Sequence, residues 1–435
     1  MNHGSDENEN QRPLNSRPLS RGAGASFDDY VLRLRALERD QRRGKEREKA
    51  VTAALDGEAR RTAREVIPSA MLKALGAFFT RSSLRAQAWS LFREPLQEGS
   101  VVLDPAVGAG DLLLGAFDHL PDGVSAELRG FDLHEGFLAA ARARLSIATT
   151  LRSAEGKRGL VATKLRKGSG LVQHRAIAQA THIIMNPPFT AMTAPARCTW
   201  AHGRVNSAAV FLDAVIGHAS PGTEVLAIVP DVLRSGSRYS RWRTDVAARA
   251  HVLKVVQVGR FDEWTDVDVI LLHLRRREGS TSDEGQDWGS LVGLISGSRV
   301  DSVFDISVGA VVDYRSPKRG PWQPYLIARD APRWGRIDKV TRRRRFRGTV
   351  VPPPFVVVRR TSSPSDRQRA VATIVDCAEH IAIENHLLVA RPKDGSVDTC
   401  ARLLERLNST SATSWFNDVI ACRHLTVTAL GGLPW

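Results

Sequence analysis

Val101-Val102-Leu103-Asp104-Pro105-Ala106-Val107-Gly108-Ala109-Gly110, followed by Asp111-Leu112-Leu113-Leu114-Gly115-Ala116-Phe117, is the stretch that decides the fold. A short β-branched run ends in an aspartate, a glycine-rich turn follows, and then comes a helix-like segment. Strand, glycine loop and helix in that order are how open α/β sheets hold nucleotide-type ligands. Gly108 and Gly110 have no Cβ, so a ligand can come close to the backbone. The spacing is not G-x-G-x-x-G, and no G-K-[ST] closes the loop. Asp104 at the strand tip repels a phosphate and attracts an ammonium. The expected ligand is therefore cationic and amino-acid-like rather than a dinucleotide or ATP. The expected fold class is α/β with a mostly parallel sheet.

Two further strand ends extend the pattern. Leu128-Arg129-Gly130-Phe131 leads to Asp132, which lies 22 residues beyond Gly110, and a helix is predicted from Glu135 to Leu145. An acid at the tip of the second strand typically binds ribose hydroxyls; its competing role is to cap the next helix. Ile183-Ile184-Met185 reads as a buried strand and runs into Asn186-Pro187-Pro188-Phe189. Neither proline can donate to a ladder, so the strand must stop there in a stiff turn. The polar groups of that turn are mostly acceptors: the Asn186 carboxamide oxygen and the carbonyls of Asn186 and Pro187. Phe189 adds a flat apolar face. Such a corner suits a planar, amino-bearing group such as a nucleobase; the bland alternative is a plain strand-ending turn.

In the order Gly76-Ala77-Phe78-Phe79-Thr80, Asp104–Gly110, Asp132 and Asn186–Phe189, the chain resembles the S-adenosylmethionine-dependent N6-adenine DNA methyltransferases. It looks like the group whose cofactor motifs precede the catalytic motif and whose target-recognition domain is C-terminal. The recognisable motifs span roughly residues 65–275. The resemblance implies a Rossmann-like catalytic domain, an N-terminal helical arm, a C-terminal α+β target-recognition domain, and S-adenosyl-L-methionine as cofactor. It places Phe79 and Thr80 near the methionine end of the cofactor. Asp104, Ala106, Gly108 and Gly110 fall in the loop beneath it, and Asp132 on the ribose. Asn186 and Pro187 would accept from the target amine, Pro188 would stiffen the turn, and Phe189 would stack on the base. Phe261, in Gly259-Arg260-Phe261, would be a second aromatic near that base. The chain departs from the pattern at Lys167-Gly168-Ser169-Gly170-Leu171, where Ser169 stands in place of an acid expected to meet the cofactor's adenine. A serine hydroxyl binds an amino group more weakly than a carboxylate does.

A base inside a duplex cannot reach such a corner, so it must be turned out of the stack. The segment from Thr190 to Asn206 is expected to be a loop that closes over it. Composition agrees with a nucleic-acid partner, since the formal net charge is +15 and the sequence pI is about 10.3. Clustering says more than the total. Residues 315–360 hold 14 Lys or Arg against two acids, with five aromatics interleaved. Arg342, Arg343, Arg344 and Arg345 are the densest part, and phosphates attract such a run without reading sequence. Double-stranded DNA is the expected partner.

At 435 residues the chain is too long for one core. Residues 1–26 read as a disordered tail, 27–64 as an exposed charged helical arm, 65–277 as the catalytic domain, 278–290 as a linker and 291–435 as the target-recognition domain. The four cysteines lie far apart without C-x-x-C spacing, and the histidines show no ligand motif. No metal, no membrane segment and a cytoplasmic location are expected. Any restriction endonuclease or other defence-system subunit would be a separate chain. Two alternatives stay open: an RNA or protein methyltransferase using the same turn, and a DNA-binding defence subunit that has lost catalysis.

Overall fold

The computed structural model describes residues 26–435, apart from 41, 43, 263–266, 280–287, 289–296, 363–365 and 421–423. Nearly all of the expected disordered tail and most of the expected linker lie outside the described residues. The chain forms two compact units. The first comprises Met1–Pro230, Arg241–Val258 and Val269–Trp288; the second comprises Asp231–Ser240, Gly259–Asp268 and Gly289–Trp435. Two short segments inside the expected catalytic span therefore group with the second unit.

Among its described residues the first unit is built on nine strands: β1 (Ser100–Asp104), β2 (Ala126–Asp132), β3 (Val161–Lys167), β4 (His182–Met185), β5 (Ala191–Thr193), β6 (Arg204–Asn206), β7 (Glu224–Pro230), β8 (Ala250–Arg260) and β9 (Asp268–Arg276). Seven of them form one sheet in the order β3-β2-β1-β4-β7-β9-β8. Pairings from β3 through β7 are parallel, and β9 runs antiparallel to β7. Every residue of β4 and β7 is buried. Parallel strands covered on both faces must be apolar throughout, which explains the unbroken runs at 183–185 and 225–229. The chain steps outward from β1 to β2 and β3, then returns to place β4 on the other side of β1. This reversal opens a crevice at the carboxyl ends of β1 and β4. The expected α/β class with a mostly parallel sheet is what forms.

Ten helices of this unit are α1 (Phe27–Arg39), α2 (Lys45–Leu55), α3 (Glu58–Val66), α4 (Ser69–Leu75), α5 (Ser82–Trp89), α6 (Asp111–Leu114), α7 (Ala116–His119), α8 (Glu135–Ala154), α9 (His174–Ala178) and α10 (Ser207–His218). The first three correct the expectation of an exposed arm. Ser26 and Asp29 close a reciprocal capping box that starts α1. Phe27, Tyr30, Val31 and Leu34 then recur at helical spacing and are buried in one cluster with Phe79, Ala109, Phe137 and Ile147. The Phe27 ring meets Phe137 of α8 edge-on, with centroids 5.2 Å apart. Charge counting misled because the charged residues occupy one face only, and the apolar stripe opposite covers α8.

Among its described residues the second unit holds eight strands: β10 (Phe304–Val308), β11 (Trp322–Leu326), β12 (Arg336–Ile337), β13 (Arg343–Arg345), β14 (Phe355–Arg359), β15 (Ala372–Val375), β16 (Ala382–Ile383) and β17 (Leu387–Pro392). Five form a mixed sheet, β10-β17-β14-β15-β12, and three a smaller one, β13-β11-β16. Alternation along the five-stranded sheet feeds two cores. Val356, Val358, Leu388 and Ala390 face a core shared with Leu403, Phe416 and Leu430 of the C-terminal helices. Phe355, Val357, Leu387 and Val389 face Leu326, Ile381 and Ile383. No helix among the described residues is long and apolar enough to cross a membrane.

Phe27→Ala should destabilise the protein by about 3–5 kcal/mol, the cost of deleting a fully buried phenyl ring. Urea unfolding monitored by circular dichroism reads this; a change near zero would mean the N-terminal helices do not share the core of α8.

Candidate cofactor and acceptor site

The crevice at the ends of β1, β2 and β4 is lined by four segments of the first unit: 75–80, 104–112, 131–137 and 168–170, together with Asn186, Pro188 and Phe211. Asp104 ends β1 and is 1% exposed. Its Oδ1 accepts the Ala106 amide at 2.9 Å. Burial pushes its carboxyl up to about 8; the Ala106 amide opposes this, and the nearby Asp132 and Asp111 carboxylates add to it. An acid desolvated in this way, beside two others, is a place where a cation would be strongly welcomed.

Asp132 ends β2, and its two oxygens accept the amides of Gly108 at 3.0 Å and His134 at 2.8 Å. The carboxylate thus ties the tip of β2 to the glycine loop, and the second bond is a local turn rather than a helix cap. Burial raises its pKa. Gly108 has φ +51° and open space where a Cβ would project, so this part of the loop offers bare backbone to the crevice. Ser169 lines the same crevice, where its Oγ accepts the Leu171 amide at 3.4 Å and caps a short 3-10 turn. Thus the serine serves local backbone, while its hydroxyl hydrogen can still be donated.

Asn186 follows β4 and is 9% exposed. Its Nδ2 donates to the Phe78 carbonyl at 3.0 Å and to Thr80 Oγ1 at 3.1 Å. A carbonyl can only accept, so the amide nitrogen must face Phe78 and the orientation of the carboxamide is settled by chemistry. Both donors are spent, and Oδ1 is left buried with no hydrogen-bond partner among the described residues. Behind it, Pro187 is buried. Ser207 Oγ lies within hydrogen-bonding reach of the Pro188 carbonyl and of the Thr190 carbonyl (3.0 Å), and its one proton is shared between them. The Phe189 ring stacks on Phe78 at 4.8 Å and 21°.

Gly76 makes this junction possible. It ends α4 with φ +63°, and a Cβ there would fall inside contact with Pro188, 3.1 Å from its Cα and 3.2 Å from Thr190 Cγ2. Only glycine lets the 76–80 segment lie against the turn. The expected closing loop after Phe189 is instead an ordered hairpin, β5 paired antiparallel with β6 and braced by Arg204 donating to the Ala191 carbonyl at 2.8 Å.

Phe79, Thr80, Asp104, Ala106, Gly108, Asp132, Ser169, Asn186 and Pro188 therefore gather around one crevice. Gly110 lies in the same loop between the lining residues Ala109 and Asp111 and is the N-cap of α6. Phe189 adjoins the crevice through Phe78. Phe261 is buried in the second unit, its amide donating to the Val267 carbonyl at 2.9 Å. Among the arginines, Arg344 needs correcting as a nucleic-acid contact. It is buried, bound to the Asp313 carboxylate and the Ser316 carbonyl (2.7 Å), because strand alternation turns it inward. Arg342 and Arg343 are exposed but paired with Asp330 at 2.7 Å and Glu379 at 2.9 Å. Arg345 has its guanidinium 5.6 Å from the Trp322 ring centre.

Sequence reasoning missed three groups. The Phe78 carbonyl carries no side-chain signal. Phe137 and His134 belong to the helix start and could be read only as core or cap. Arg144 of α8 is 0% exposed; it donates to the carbonyls of Ala54 (2.7 Å) and Ala109 (2.6 Å) and pairs with Asp111 at 2.8 Å. It clamps α2 to the glycine loop. A signal existed: position 144 falls on the helical stripe of 137, 140, 141 and 148, where a lone arginine must find acceptors. Among the described residues no three His, Cys, Asp or Glu could hold a metal ion.

Gly76→Ala should lower the melting temperature by several degrees, since both the left-handed backbone and the Pro188 contact oppose a methyl group. An unchanged melt would mean the junction gives way easily. Asp104→Asn tests the burial of the carboxyl. The folded pKa lies above the 3.8 of an ordinary Asp, so the native state holds the extra proton between those values. The contribution of Asp104 to stability is present below about pH 4 and is lost as pH rises through about 8. The Asn variant should therefore gain on the native protein from pH 5 to pH 9 in paired denaturation curves; parallel curves would contradict the assignment.

No protein-family model and no curated protein sequence matches the chain. Solved structures resemble it loosely. The type IIG restriction endonuclease BpuSI is 15% identical over 88% of this chain and 60% of its own, with a TM-score of 0.44. The type I restriction enzyme EcoKI M protein is 18% identical over 63% of this chain and 58% of its own, with a TM-score of 0.36. A type I restriction-modification system methyltransferase subunit from Streptococcus thermophilus is 18% identical over 48% and 44%, with a TM-score of 0.33. The chain spans less than two thirds of each of these proteins, and superpositions this loose do not bear on its chemistry.

Proposed function

We propose that the chain is a site-specific DNA methyltransferase that moves a methyl group from S-adenosyl-L-methionine to the N6 amine of an adenine turned out of the duplex. The observation that carries this reading is the buried, unpartnered Oδ1 of Asn186. A buried acceptor left without a donor costs about 1–3 kcal/mol. A site keeps that cost when a ligand brings the donor. An exocyclic amine brings two N–H groups, and the Pro187 carbonyl supplies the second acceptor. Holding both hydrogens favours a pyramidal nitrogen and turns its lone pair along the line of transfer. No side chain at the turn has to act as a strong base. Phe189, backed by Phe78, offers a flat face for the base. Stacking of about 1–3 kcal/mol per base offsets part of the cost of turning it out.

The residues of the crevice fit the cofactor. Once bound, S-adenosylmethionine supplies an electrophilic methyl group on a sulfonium. Asp104 would offset positive charge at the amino-acid end, beside Phe79 and Thr80. Asp132 has accepting lone pairs left for ribose hydroxyls, and Gly108 leaves room at the backbone. Ser169 would meet the adenine with one hydroxyl. The likeness of motifs supports a restriction-modification or phage-defence setting in which an endonuclease is carried on a separate chain.

Asn186→Ala should reduce methyl transfer from labelled cofactor to duplex DNA by at least about a thousandfold, on the scale of losing an aligned transition-state contact. Asn186→Ala also removes the two bonds that hold the 78–80 segment, so cofactor affinity by calorimetry should fall somewhat, but far less than methyl transfer does. Transfer to tRNA or protein but not to DNA would refute the substrate, and a native protein that binds no cofactor would refute the enzyme.

A further inference from the structure

Within the second unit, Trp322 is 61% exposed and Tyr314 83% exposed. Each has an arginine over its ring: Arg345 at 5.6 Å from the Trp322 centroid and Arg315 at 5.4 Å from that of Tyr314. Single exposed aromatics are ordinary. Two, each covered by a guanidinium and both at the basic 315–360 stretch, are not. Register explains the first pair: Trp322 of β11 lies directly opposite Arg345 of β13, so both project to the same side of the small sheet. Arg344, one residue away, projects to the other side and binds both the Asp313 carboxylate and the Ser316 carbonyl. That buried arginine fastens the turn carrying Tyr314 and Arg315 to β13. Trp322 and Arg345 line one shallow cleft with Lys318 and the acids Asp313 and Glu384.

Arginines on an edge strand also stop it from pairing with another chain. That role needs no exposed indole beside them. Phosphate contacts alone would need no aromatic either. A flat ring with a cation over it and further cations around it is the arrangement that takes an unstacked base while its backbone lies on positive charge. A closed duplex offers such a ring no base face. We infer that this face of the second unit is a second nucleobase-binding site, at which Trp322 stacks on an unpaired base of the bound DNA and Arg345 holds the adjoining phosphate. The inference rests on the proposal that the chain acts on DNA, and opening the duplex to expose one base makes unpaired neighbours available.

The test is fluorescence anisotropy of the full chain with a labelled duplex, fully paired or carrying an unpaired bulge base, across a salt series. Trp322→Ala should weaken binding to bulged DNA roughly 5- to 100-fold and change binding to the paired duplex much less. Trp322→Phe should restore most of the loss. Arg345→Ala should lower the salt slope by about one on both DNAs. Equal loss on the two duplexes, or no loss beyond twofold on the bulged one, overturns the inference. If native protein still methylates DNA in that case, the proposed function stands alone. If native protein neither binds nor methylates DNA, both fall.

Discussion

The two hydrogen bonds from the Asn186 amide to the Phe78 carbonyl and Thr80 Oγ1 are the constraint on which the site depends. They consume every donor of the side chain and thereby decide what remains: one acceptor oxygen, buried, pointing away from the segment that holds it. They also bring two distant parts of the chain to one place. The 76–80 segment precedes β1, the turn follows β4, and the hairpin after Phe189 is held through Ser207. Gly76 permits the close approach, and Phe78 contributes both the anchoring carbonyl and the ring behind Phe189.

Electrostatics around this junction has one direction. Asp104, Asp111 and Asp132 converge on the glycine loop. Only Asp111 has a charged partner among the described residues, the buried Arg144. The other two are held by backbone amides, which stabilise a carboxylate without cancelling its charge at longer range. Burial nonetheless favours the protonated forms of Asp104 and Asp132, and a cation entering the crevice would draw out their charge. Positive charge clusters in the 315–360 stretch of the second unit, where it is sorted again. Arg344 is a buried brace on Asp313, Arg342 and Arg343 are exposed and paired with Asp330 and Glu379, and Arg345 and Arg315 lie over exposed aromatic rings. A count of basic residues cannot separate these roles, because strand side decides which arginine is buried and the neighbours of each decide what it meets.

Much of the fold was legible because short-range rules dominate it. Unbroken apolar runs at 101–103, 183–185 and 225–229 announce strands buried on both faces, and the residues that end them announce turns. The placement of Asp104, Asp132 and Asn186 at strand tips follows from that alone. Where long-range packing decides, the reading failed. The N-terminal helices looked like an exposed arm, yet their apolar stripe covers α8. The segment after Phe189 looked like a loose loop, yet it pairs into a hairpin.

The sequence by itself determined the α/β class, the glycine loop after β1 and the proline-stiffened corner after β4, since these depend on local backbone chemistry and hydrophobic period. Only the tertiary structure decided which donors the Asn186 amide meets, that Arg144 is a buried clamp, and that Arg344 faces inward while Arg345 lies over Trp322. Those outcomes depend on which segments, far apart along the chain, are brought within hydrogen-bonding distance, and neither residue type nor spacing encodes that distance.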